Sequence, residues 1–410
     1  MRVSGNGENM QREKPVARCP DIGKFRCAFS KIKNIAIFVE NRIMKIRSRY
    51  IRYGVLAGLV LATFVFRWLP GWSEGYALHC YPYLSAGLSA FSALFPFSVG
   101  DCFIVLGIGW IVGNLVYVLW KRQNVKRVLL RTLEFCVWIY VWFYFAWGIN
   151  YFRFPFYERA GIEHAQYNEE NFRVFLKDYV RGLDSSYVLA GDTLAGWYLE
   201  PFRHSAFIDS LNIERTVGAG YREIAPRFGL VRTRKDLKAK PMLWSRGMSR
   251  VGVSGYMGPF FSEFNINSEE LSVEYPFTYA HELAHRLGIA GEAEANLYAY
   301  WVCSHSDVPE VRFSGYFSIL GYVMGNARQL LTEDEYVELY KGIRPGIISL
   351  YMVHRNYWRG KYNPQVGKVQ NKVYNAYLKA NRVESGTKNY SEMVGLLVSL
   401  WESEKEKREF

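Results

Sequence analysis

Tyr279-Ala280-His281-Glu282-Leu283-Ala284-His285-Arg286-Leu287-Gly288, followed closely by Gly291-Glu292-Ala293-Glu294-Ala295-Asn296, is the stretch from which the rest of the chain is read. Residues four apart on a helix share a face, so His281 and His285 can offer both imidazoles to one metal ion. Glu282 falls about 100° further round that helix, which sets its carboxylate beside the ion and not on it. A hydrolytic zinc (Zn2+) site uses three protein groups and leaves the fourth position to water. Gly288 lies where a left-handed cap can end the helix. Gly291 permits a second turn, and the apolar-rich segment from Glu292 to Cys303 reads as another helix. Two carboxylates compete for the third ligand position. Glu292 and Asn296 are i and i+4 and can both face the first helix, whereas Glu294 lies about 200° from Glu292. The spacing favours Glu292 as ligand, with Asn296 as a hydrogen-bond partner for one histidine.

Three further stretches belong with this pattern: Trp147-Gly148-Ile149-Asn150-Tyr151, Gly255-Tyr256-Met257-Gly258-Pro259-Phe260 and Val373-Tyr374-Asn375-Ala376-Tyr377-Leu378-Lys379. Together they resemble a bacterial family of membrane proteins, domain of unknown function 3810, over most of the chain from about residue 50 onward. Glu292-x-x-Ala295-Asn296 is also similar to the Glu-x-x-Ala-Asp signature of membrane metallopeptidases of the prenyl-protein protease type. In those enzymes the Glu is the third zinc ligand and the Asp orients a ligand histidine, so the resemblance implies a zincin peptidase. Asn296 departs from that Asp: it accepts a hydrogen bond but carries no charge.

The formal charge of +13 on 410 residues is unevenly spread. Residues 1–52 hold 13 Lys and Arg against 4 Asp and Glu, and Lys121 to Arg131 adds five positives with no acid. Basic residues beside apolar spans mark the cytoplasmic side of a membrane protein. A nucleic-acid surface would be expected to follow the folded domain, so no nucleic-acid partner is expected. The six cysteines, Cys19, Cys27, Cys80, Cys102, Cys136 and Cys303, have no regular spacing. That excludes a disulfide framework and a multi-cysteine zinc site, and Cys303 reads as a buried apolar residue.

A basic cytoplasmic leader, 1–50, precedes a membrane domain, 51–152, with three spans at about 53–69, 102–120 and 135–152. Their lengths approach the ~20 residues that a bilayer requires. Lys31 to Arg49 is compatible with an amphipathic surface helix or a loose basic leader. Pro70 to Gly100 contains no Lys or Arg, so the positive-inside rule puts the N-terminus in the cytoplasm and residues 153–410 outside it. The expected location is therefore a bacterial inner membrane, with the C-terminal domain periplasmic or extracytoplasmic. The aromatic stretch from Tyr81 to Phe97 is expected on or in the outer membrane surface. Gly54-x-x-x-Gly58 leaves helix–helix self-association open.

From residue 153 the pattern is α+β: mainly helical and zincin-like, with a small sheet. Helices are expected over 167–187, 213–228, 314–331, 333–341, 347–357, 369–381 and 390–401, with 402–409 as a solvated charged tail. Strands are expected over 240–244, 251–257 and 262–267, arranged as a hairpin. The resemblance implies that Gly255, Tyr256, Met257 and Gly258 form an edge strand on which an extended substrate lies.

The chemistry that fits is peptide-bond hydrolysis by a metal-activated water, with Glu282 as general base. His354, Tyr351, Tyr357 and Tyr374 are candidates for the oxyanion donor. His79, His164, His204 and His305 read as surface or hydrogen-bonded structural histidines. Charged flanks at Glu269, Glu270, Glu274, Arg286 and Glu294 argue against a motif buried inside a span. The substrate is a peptide or protein of unspecified identity, and the lipid bilayer is the other partner. The rival reading is a membrane-anchored scaffold or binding protein whose metal site is structural or vestigial; such a site has no use for Glu282.

Overall fold

The computed structural model describes residues 44, 47–121, 125–163, 168–190, 197–232, 237–386 and 389–409. The basic leader up to residue 43 and His164 lie outside them. Two compact units divide the chain, residues 1–59 and 60–410. Among the described residues, three helices are long and apolar enough to cross a membrane: α1 (Arg47–Trp68), α4 (Val99–Lys121) and α5 (Val125–Ala146). The third begins at Val125 and ends at Ala146, earlier than the expected 135–152. Helical hydrogen bonding runs straight through Lys126, Arg127 and Arg131, and the chain tightens into a 3-10 turn at Gly148–Phe152.

Between α1 and α4 the chain forms α2 (Pro70–His79) and α3 (Tyr81–Ser92). Each carries proline in its first turn, where the missing N–H forfeits no hydrogen bond. After α5 come α6 (Phe156–Ala160), α7 (Glu169–Ala190), α8 (Ala206–Ser210) and α9 (Ile213–Ile224). At the start of α7 the Asn168 side chain accepts the Asn171 N–H at 3.0 Å.

The sheet is built from β1 (Lys240–Pro241), β2 (Gly255–Gly258) and β3 (Glu263–Ile266), with α10 (Ser245–Ser249) between the first two strands. Its order is β1-β3-β2, with β2 antiparallel to β3 and β1 parallel to it. The expected hairpin is present but shorter, because Val251–Gly252 turns at a positive φ of 75° before the strand begins. A buried ion pair, Lys240 to Glu263 at 2.7 Å, braces β1 against β3. Glu263 also accepts Gly100 N–H at 2.6 Å and Ser98 O–H at 3.1 Å, which joins the sheet to the start of α4.

The remaining helices are α11 (Tyr275–Arg286), α12 (Glu292–Ser304), α13 (Pro309–Leu330), α14 (Glu333–Gly342), α15 (Pro345–Lys361), α16 (Pro364–Ala380) and α17 (Asn389–Glu409). Thr332 and Glu335 form a capping box at the start of α14. Residues 402–409, expected as a tail, continue α17; Glu404 pairs with Arg227 and Lys405 lies over the Trp401 ring. The core is centred on α11 and α12, with Leu283, Ala284, Leu297, Tyr298 and Ala299 almost fully enclosed. α12 is buried on nearly every side, as expected of a helix in the middle of a core. Each buried Leu or Phe here contributes about 1.5–3 kcal/mol. A lone buried carboxylate would cost more than that, so Glu292 and Asn296 within such a helix require partners.

Candidate metal centre

The end of α11 shows how the sequence positions its histidines. Gly288 takes φ 88°, and its N–H bonds His285 O at 3.1 Å while Ile289 N–H bonds Ala284 O at 3.2 Å. This is a Schellman cap, which only a residue tolerant of positive φ can close. It swings the Ile289 carbonyl back to 2.7 Å from His285 Nδ1. Nδ1 therefore carries a proton, which leaves Nε2, facing Glu292, as the atom available to a metal ion.

Three donor atoms converge. His281 Nε2 lies 3.0 Å from His285 Nε2, and Glu292 Oε2 lies 3.2 Å and 3.3 Å from the two. Tetrahedral zinc with bonds of about 2.0–2.2 Å has ligand–ligand edges of about 3.3–3.6 Å, slightly longer than the triangle observed. The donor chemistry fits too, since two imidazole nitrogens facing each other cannot both carry protons. Among the described residues this is the only trio of His, Cys, Asp or Glu side chains so arranged. Burial would lower the pKa of His285, but the Glu292 carboxylate outweighs it and lifts the imidazole to about 9. Burial opposes ionisation of Glu292, yet the two histidines hold it well below the usual carboxylate range. A bound cation replaces the proton that this pair otherwise shares.

Glu294 faces the other way, paired with the buried guanidinium of Arg159. Glu292 Oε1 accepts the Tyr374 hydroxyl from α16. Glu282 is 3 % exposed, and its Oε2 has no hydrogen-bond partner among the described residues. Burial pushes its pKa up to about 7, against the pull of His281 and His285. Its other face rests on Gly255: a Cβ added there would lie 2.6 Å from Glu282 Cγ. The strand can pass this close only because residue 255 is glycine.

A single cavity of about 1250 Å³ is lined by His281, Glu282, His285, Glu292, Asn296 and β2 from Gly255 to Gly258. Asn296 lines the cavity, but its amide nitrogen has no hydrogen-bond partner among the described residues, and the orienting partner of His285 is the Ile289 carbonyl. Of the four oxyanion candidates only Tyr374 lines the cavity. Tyr357 donates to Glu269 O at 2.7 Å, His354 Nε2 lies 2.6 Å from Glu274 Oε2, and Tyr351 packs against His354. His79, His204 and His305 are exposed and away from the cavity.

Sequence reasoning missed the supports that come from outside the metal helices. Trp147 Nε1 donates to His285 O at 2.9 Å, and the Tyr81 hydroxyl donates to Arg286 O at 2.9 Å. Arg286 reaches Ser262 O, Ser85 Oγ and Ser85 O at 2.9, 3.0 and 2.9 Å. The stretch from Tyr81 to Phe97, expected at the membrane surface, therefore begins by bonding the end of α11. Position in the stretches 147–151 and 373–379 was the available signal for Trp147 and Tyr374.

No curated protein and no solved structure matches the chain. Residues 76–398 match the family described as protein of unknown function (DUF3810), a segment that holds the candidate metal centre, β2 and both supporting stretches. The chain belongs to that family.

Proposed function

We propose that the protein is a membrane-anchored, zinc-dependent metallopeptidase of zincin type. The observation that carries this reading is the convergence of His281, His285 and Glu292 beside a buried carboxylate, Glu282, whose Oε2 has no hydrogen-bond partner among the described residues. A divalent ion bound by these three groups would supply Lewis acidity and make a water nucleophilic near neutral pH. Glu282 takes the proton of the attacking water and delivers it to the departing amine. β2 is an edge strand running past Glu282, so its free backbone groups can align an extended peptide by strand addition. Tyr374 and Ile289 hold Glu292 and His285 in their ligating orientations.

The direct test uses the full-length protein in detergent or vesicles with a mixed peptide library. Chelation is expected to abolish cleavage, and about one equivalent of zinc per chain should restore it; cleavage that persists in the chelated, metal-free protein would sink the proposal. Gly255→Ala tests the packing of the strand on Glu282. A Cβ at that position displaces the carboxylate, so cleavage should fall by on the order of a hundredfold with zinc content unchanged. Unaltered cleavage would show that β2 does not set the position of Glu282.

The same proposal puts residues 153–410 outside the cytoplasm, since Lys121 at the end of α4 and Lys126 and Arg127 in the first turn of α5 flank the connection between the second and third spans, whereas Pro70–Gly100 has no Lys or Arg. A reporter active only outside the cytoplasm, fused after Trp401, is expected to work. A stable but inactive fusion would reverse the orientation.

A further inference from the structure

The cavity that contains the metal centre does not stop at the extracytoplasmic region. Its wall continues along α4 through Ile104, Val105 and Ile108, which are 43, 47 and 58 % exposed. Asp101, one turn above them, fixes the polar end of this wall: it accepts Leu243 N–H at 3.0 Å and pairs with the Tyr256 hydroxyl. From Asp101 to Ile108 the helix descends about 10 Å, roughly a third of the ~30 Å hydrocarbon layer. The cavity thus joins a hydrolytic centre to the apolar flank of a membrane span.

The β2–β3 turn sets the geometry of that junction. Phe260 packs on Phe103 with ring centroids 5.1 Å apart, and its carbonyl accepts Trp142 Nε1–H at 3.1 Å. One end of β2 is therefore attached to the outer ends of the second and third spans, and the other end reaches Glu282. From Gly258 to Gly255 the strand covers about 10 Å. A peptide lying along it would meet Glu282 only a few residues from the membrane surface.

The geometry points to a substrate that arrives through the bilayer: a polypeptide tethered by its own transmembrane helix, which lies against Ile104, Val105 and Ile108 while its adjoining extended segment lies along β2. This rests on the hydrolase reading of the same site. Apolar side chains on that wall repel a polar soluble peptide and favour one whose next segment is itself apolar. Tethering also raises the local concentration of the scissile segment at the centre.

The test places a photo-crosslinking p-benzoylphenylalanine in place of Ile108, and in a second protein in place of Leu106, which is 72 % exposed and does not line the cavity. Both carry Glu282→Gln and sit full-length in phospholipid vesicles. The probes are a synthetic peptide with a polar segment joined to a poly-Leu/Ala transmembrane helix, and the same polar segment alone. Labelling at position 108 by the tethered peptide should exceed labelling at 106, and labelling by the free peptide, by about tenfold or more. Equal labelling at the two positions, equal labelling by the two peptides, or none at 108 overturns the inference. Cleavage of the tethered peptide by wild-type protein is read separately. Selective labelling without cleavage removes the hydrolase reading, whereas cleavage with unselective labelling removes only the membrane route.

Discussion

Glu282→Gln is expected to retain one bound zinc ion and to lower peptide cleavage by about a thousandfold, within the range that a positioned general base contributes. The amide keeps the shape of the side chain and its contact with Gly255, so the helix and the ligand triangle should be undisturbed. It cannot accept a proton at neutral pH, and that is the whole of the change. Glu282 lies beside the three converging atoms and is not one of them, so metal content should not follow activity downward. Zinc stoichiometry measured alongside initial cleavage rates makes the comparison. A variant that keeps full activity would remove Glu282 from the mechanism, and one that loses zinc as well would make it a ligand or a structural support.

The second large effect concerns the ligands. His281→Ala, His285→Ala and Glu292→Ala should each reduce zinc below stoichiometric occupancy, because each deletes one corner of the observed triangle. Glu294→Ala should keep its zinc. Its cost is in stability, on the order of 3 kcal/mol, because it leaves the Arg159 guanidinium buried without its counter-charge. Tyr374→Phe frees Glu292 Oε1 and should weaken zinc affinity by roughly ten- to a hundredfold, the usual range for a group that orients a ligand. Metal titration of the purified full-length variants separates these cases. Loss of zinc from Glu294→Ala with retention in Glu292→Ala would exchange the two carboxylates.

Much of the centre could be read from spacing alone because it is local. The i, i+4 histidines, the glycine stop and the 200° separation of Glu292 from Glu294 are properties of one helix or the next, and both helices lie where the pattern places them. What the pattern could not supply is non-local. Parallel pairing of β1 with β3 joins Lys240 to Asn265 across a helix and another strand, and a two-residue strand leaves no periodic trace. An uncharged run of sequence places the start of the third span too late, because helical backbone bonding continues through Lys126, Arg127 and Arg131. Trp147 and Tyr374 reach the centre from 138 and 82 residues away, and their place in the stretches 147–151 and 373–379 marks them without saying which atom they contact.

Those distant supports decide what happens if the C-terminal region is cut from the apolar helices. A proteolytic cut between Trp147 and Phe156 would carry off the donors to the His285 and Arg286 carbonyls and the seat of the Arg286 guanidinium at Ser85. Each buried polar group left behind costs about 1–3 kcal/mol, concentrated on the turn that holds the second histidine. A fragment released by such a cut is therefore expected to lose the proposed activity, which would stay with chains that keep their apolar helices.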